Sequence, residues 1–273
     1  MSNLYSQIMP LVLAAYFAGT LLSLAQIILR RRALVITRRV LVAIAALAHL
    51  IALAAFARGV GQHFLASIEG SSLLFSWLLV IGLLLFEERL KLQTVGVFIT
   101  FIAFLVGLYA YGCPRAIASP VSALDTWWLK AHVPLLIAAF ACFALAACAS
   151  IVYLIQDRCV KEKRTIRILR KWPPLPVAER LIVYFSLTGL LLLTLGILMA
   201  AIGGHAVKSS YKPEYDPKVI FSMLLWFLYA GYLLSRRWFG WRGRKSSLLN
   251  LLNFFVTLVT FFVQHRVPET LVR

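Results

Sequence analysis

Acidic side chains are scarce in this chain: 10 Asp and Glu stand against 28 Lys and Arg, for a formal net charge of +18. The cores of its long apolar runs hold no Lys, Arg, Asp or Glu at all. Ion-coupled transporters place such groups near the bilayer midplane, where a moving charge needs a partner, so this absence argues against transport. Cysteine is also sparse. Cys113, Cys142, Cys148 and Cys159 form neither a CxxC nor a CxxCH spacing. Cys142 and Cys148 sit in an apolar run, where thiols behave as small hydrophobes, so neither a disulfide framework nor a cysteine metal site is expected. No basic stretch precedes the first apolar run, so a cleavable signal is not expected and the first span is expected to stay in place. The apolar runs do not alternate with period two, which argues against strands. Nor does any Ser–His–Asp or Cys–His set stand out, which argues against a stand-alone hydrolase.

What the chain does have is apolar length. Of its 273 residues 62% are hydrophobic, and the mean hydropathy is +0.86. A soluble fold of this size has no way to hide that much apolar surface, so the bilayer is the expected solvent. A membrane helix needs about 20 apolar residues. Eight runs qualify, roughly 7–29, 40–58, 72–86, 93–111, 132–155, 181–203, 219–235 and 247–264. The expectation is an all-α polytopic helix bundle forming one integral membrane domain over residues 1–273.

The basic excess is distributed by loop. Segments 30–39, 87–91, 156–180 and 236–245 hold 20 of the 28 Lys and Arg. Basic loops stay cytoplasmic, which puts these four inside and both termini on the outer side. The charge is then a topology signal with attraction to lipid headgroups, and not a nucleic-acid site. The basic loop 156–180 is also long enough to dock a cytoplasmic partner, and its WPPLP run, 172–176, breaks helix ahead of the sixth span.

On this topology His63, His132, His205 and His265 fall at the outer face and His49 inside a span. Histidine ligates metals and haem iron, and two from different helix ends can clamp a haem. His132 and His265 are the candidates for that role. For His63 the alternative is a solvated loop residue, for His205 an interfacial one, and for His49 a hydrogen bond to a neighbouring helix. Trp127, Trp128, Tyr211 and Tyr215 crowd the same boundary, where an interfacial aromatic belt is the plain alternative. Asp216 followed by Pro217 is a helix start signal for the seventh span, with Asp216 as cap.

Three stretches share a pattern with a known family. WWLKAHVPLLIAAFACFALAACASIVYLI opens on a histidine-led helix. LTLGILMAAIGGHAVKSSYKPEYDPKVIFSMLLWFLYAGYLLSRR carries Asp216-Pro217-Lys218 ahead of a helix, and FFVQHR ends the last span on a histidine. Upstream, 48–59 and 66–77 form paired spans carrying His49 and Glu69. The chain thus resembles the CcsA/CcmC/HemX superfamily of cytochrome c assembly membrane proteins, most closely its HemX-like members. The resemblance implies haem b held at the outer face, with His132 and His265 as axial ligands and the rings of the 203–218 segment, Tyr211 and Tyr215 among them, packing on the porphyrin beside Asp216. Lys208, Lys212 and Lys218 then stand near the propionates. It further implies a place in the plasma membrane of a bacterium, an apocytochrome c as client and a second membrane assembly protein (ResB/CcsB-like) as partner. The chain then supplies the haem-handling component of a cytochrome c synthase complex.

Two departures are visible. The family's external motif is rich in tryptophan and ends in Trp-Asp-Pro-Lys, whereas this chain has Tyr211, Pro213 and Tyr215. An inward histidine of the family's seventh span is matched here by Leu234. These departures keep a second expectation open: a non-catalytic HemX-like accessory subunit with a degenerate haem site, acting through protein partners such as a haem-synthesis enzyme.

Overall fold

The computed structural model describes residues 2–29, 31–90, 95–112, 127–162, 174–206 and 217–262. These fold into eight helices: α1 (Ser2–Leu29), α2 (Arg32–Val60), α3 (Ile68–Leu90), α4 (Val95–Gly112), α5 (Trp127–Lys161), α6 (Leu175–Ala206), α7 (Pro217–Trp238) and α8 (Arg244–Phe262). All eight are long and apolar enough to cross a membrane. Helix is what such runs must form in lipid, because no water is present to satisfy an open backbone.

Several helices outrun the apolar stretches that announce them. α5 starts five residues before His132 and extends to Lys161. α7 opens on Pro217, whose fixed φ suits a first helical position; the cap expected at Asp216 lies outside the described residues. α6 begins at Leu175, where the Pro174 carbonyl accepts the N–H groups of Val177 and Ala178 at 2.8 and 3.1 Å. The extension of α2 back to Arg32 corrects one expectation. Arg38, assigned to a basic loop, lies inside the helix, is fully buried, and pairs with buried Glu87 of α3.

α1 lies against α2 and α4, and α3 against α2, α4 and α5. α5 runs along α6 and α8, and α7 sits at the edge on α6 and α8. Close approach of α5 and α6 depends on small residues. A Cβ at Gly189 would stand 2.5 Å from the Phe143 ring and 3.1 Å from the Ala139 carbonyl oxygen; one at Gly196 would stand 2.7 Å from Leu136 Cδ2. Apolar surface gives no net drive for association in lipid, so tight packing and interhelical hydrogen bonds carry the assembly.

Polar side chains accordingly face inward. α8 buries Ser246, Ser247, Asn250, Asn253, Thr257 and Thr260, which from Ser247 onward are spaced three and four apart on one face. Asn250 donates to Ser150 of α5 and accepts from Ser186 of α6, both at 3.0 Å. α7 shows the same inversion: it buries Ser222, Tyr229, Tyr232 and Ser235, while Ile220, Leu224 and Phe227 are exposed.

Candidate functional site

Helices that alternate in direction bring four features to one end of the bundle: the 3₁₀ turn Gly61–Ala66, the start of α5, the end of α6 and the end of α8. His63 lies in that turn, His132 in the second turn of α5 and His205 at the end of α6.

His132 is buried, with 9% of its surface exposed. Its Nδ1 donates to the backbone carbonyl of Gly196 on α6 at 2.7 Å. A carbonyl only accepts, so Nδ1 carries a proton, and whenever the ring is neutral its lone pair is on Nε2. In metal-ligating histidines a hydrogen bond of this kind, on the ring nitrogen away from the metal, fixes both tautomer and ring plane. The sequence places it well: Gly196 removes the side chain that would push α6 off Leu136, one turn beyond His132. Pro134, with no N–H, removes one rung of the helix ladder across the same turn.

α8 arrives beside α5 in antiparallel register. Asn250 meets Ser150, and the Phe261 ring lies 6.1 Å from that of Phe140. Phe261 also contacts Phe75, and Phe262 contacts Tyr109, closing an aromatic layer beneath this end. Of the residues expected at the site, His132 and Lys218 fall among those described; Tyr211, Tyr215, Asp216 and His265 lie outside them, as do Lys208 and Lys212. Lys218 is the second residue of α7. Among the described residues no three His, Cys, Asp or Glu converge as metal ligands.

The segment 66–77 makes a tight entry to α3. Ser67 Oγ accepts the Gly70 N–H at 3.0 Å, capping the helix, and donates to the Phe64 carbonyl at 2.6 Å. Glu69 is buried in that first turn, where the helix dipole favours a negative charge. Leu234 is 44% exposed on the outer surface of α7.

Two buried polar pairs escaped sequence reasoning in whole or part. His49 bonds a neighbouring helix as expected, with Nδ1 3.0 Å from the Tyr16 hydroxyl of α1, but nothing in the sequence named that partner. The Arg38–Glu87 pair did have a signal. The apolar run ALVIT ahead of Arg38 marks a helix that begins before the arginine, and two adjacent glutamates are out of place in a basic loop.

A model of the cytochrome c assembly protein family matches residues 65–272. A cytochrome c biogenesis protein CcsA from Heterosigma akashiwo is 25% identical over 232 residues, covering 72% of each chain. A CcsA from Prochlorococcus marinus is 27% identical over 231 residues, covering 73% of this chain and 72% of its own. Protein HemX from Brevibacillus brevis is 28% identical over 188 residues, covering 68% of this chain and 69% of its own. Among solved structures, the cytochrome c haem lyase CcmF superposes with a TM-score of 0.67 at 18% identity. That alignment covers 99% of this chain and 48% of the longer one, so this chain spans about half the solved protein. The match over most of its length, on a bundle of eight membrane-length helices, places this chain in the cytochrome c assembly protein family.

Proposed function

We propose that this chain handles haem in cytochrome c assembly, holding haem b at the His132 end of the bundle for delivery to or attachment on an apocytochrome c. One observation carries the reading: the buried His132 imidazole, held by the Gly196 carbonyl in the tautomer whose Nε2 has the lone pair a haem iron takes. His265 is the proposed second axial ligand. The antiparallel register of α5 and α8 supports it, since the chain leaves α8 at Phe262 on the end of the bundle where α5 begins. Tyr211 and Tyr215 are proposed to pack on the porphyrin, and Asp216 to cap α7 below them.

Bound haem supplies the vinyl groups that become thioether links to client cysteines. The protein's part is positional: His132 fixes the iron, Gly196 fixes His132, and the α5–α6 contact excludes water from that bond. The His132 end is proposed to face outward, with both termini, across the plasma membrane of a bacterium. A ResB/CcsB-like membrane protein is the proposed partner.

The test is an absorption spectrum of the detergent-solubilised protein titrated with reduced haem. A six-coordinate, bis-histidine spectrum is expected, lost in His132→Ala and in His265→Ala. A spectrum unchanged by both substitutions overturns the reading.

A second reading has a specific observation behind it: Leu234 and the missing tryptophans fit an accessory HemX-like subunit with a degenerate site. It expects a colourless protein that retains a stoichiometric partner, such as a haem-synthesis enzyme, and loses it when residues 160–172 are deleted.

A further inference from the structure

The α7–α8 connection carries aromatic surface and positive charge that neither the packing nor haem handling uses. Residues 236–245 read RRWFGWRGRK. Trp238 and Phe239 are 71% and 72% exposed, and Trp241 is 43% exposed. Arg237, Arg242, Arg244 and Lys245 are exposed as well, and among the described residues none of the four is in an ion pair. The segment contains no acidic residue.

This presentation is built. Gly240 and Gly243 turn the chain at φ +64, a region other residues rarely adopt. The Gly243 N–H donates to Glu179 Oε1 of α6 at 3.2 Å, and Arg236 Nη1 pairs with the same oxygen at 2.7 Å. Arg236 also reaches Ser246 of α8 at 3.3 Å. A Cβ at Gly243 would lie 2.9 Å from the Tyr153 hydroxyl, so α5 backs the turn too. Glu179 is thus engaged by Arg236 and Gly243 and leaves the outward cations uncompensated.

Five residues, 239–243, separate two membrane-length helices. At about 3.3 Å per residue they are too few to leave the headgroup layer. Whatever the loop meets must be found there. We propose that the α7–α8 loop is a seat for anionic phospholipid: its cations bind the phosphate, and the Trp238, Phe239 and Trp241 rings rest at the boundary between headgroups and acyl chains.

Native mass spectrometry of the full chain in detergent, incubated with phosphatidylglycerol or phosphatidylcholine, tests this. Selective retention of phosphatidylglycerol is expected. It should weaken roughly fivefold for each cation removed in Arg242→Gln/Arg244→Gln/Lys245→Gln, since one basic residue beside an anionic surface contributes about 1 kcal/mol. Arg158→Gln/Lys161→Gln, a basic pair on α5 already engaged by Glu162 and Asp157, should leave retention within twofold. The exposed single change Arg242→Gln gives the same reading should the triple variant fail to insert. Equal retention of the two lipids, an unchanged variant, or an equal loss in the α5 control overturns the proposal. So does loss of a co-purifying protein with lipid retention intact, which assigns the loop to a protein partner.

Discussion

Arg38 and Glu87 carry opposite charges in a place where neither survives alone. Both are buried, and Arg38 Nη1 stands 3.1 Å from where a Gly96 Cβ would lie, so α4 leaves room for the guanidinium and nothing larger. Removing one partner strands a buried charge, which costs about 3–5 kcal/mol, whereas replacing both by apolar residues of similar volume is near neutral. Glu87→Leu should therefore sharply lower thermal stability in detergent, and Arg38→Met/Glu87→Leu should recover most of the loss. A double variant as unstable as the single assigns the pair a role other than mutual neutralisation. At this scale the position of His132 near the start of a long helix was legible, because an apolar run follows it. The sequence signals at His49 and Arg38 did not name their partners, Tyr16 and Glu87, because contacts between residues 33 and 49 positions apart depend on which helices become neighbours. Apolar periodicity is silent about that.

Helix entry and helix packing rest on glycines that the hydropathy pattern treats as filler. A Cβ at Gly70 would stand 1.8 Å from the Phe64 carbonyl oxygen, a backbone atom with no freedom to swing aside. At Gly189 the obstacle is the Phe143 ring, stacked on Tyr229 with centroids 3.6 Å apart. Overpacking commonly costs about 1–3 kcal/mol and more where backbone must move. Gly70→Ala should then be the more damaging of the two, lowering the unfolding temperature of the purified protein further than Gly189→Ala; the reverse order refutes the backbone argument. Element number was readable from apolar length alone, since lipid permits little but helix. Element ends were not. Helices continue past the apolar stretch where a polar end such as 157–161 extends into the interface, and there hydrogen-bonding geometry sets the limit where hydropathy does not.

For the molecule as a whole, charge bias is the argument for orientation. Among the described residues, the ends of the basic segments at 31–32, 158–162 and 236–245 lie at the end opposite His132, and the charge bias of the sequence predicts that this basic end is cytoplasmic. Native cysteines give a direct readout. Cys142 and Cys148 lie within α5 between its ends, and Cys148 is buried. Cys159 sits near the basic end of α5, while Cys113 is the next residue in the sequence after Gly112, the last of α4. A membrane-impermeant maleimide applied to spheroplasts should label the wild-type chain and Cys159→Ser alike, and should fail on Cys113→Ser. Labelling that depends instead on Cys159 inverts the bundle. His132 would then face the cytoplasm, where an exported apocytochrome c does not meet it, and haem delivery at that end would fall with the orientation while the helix packing and the Gly196 bond stood unchanged.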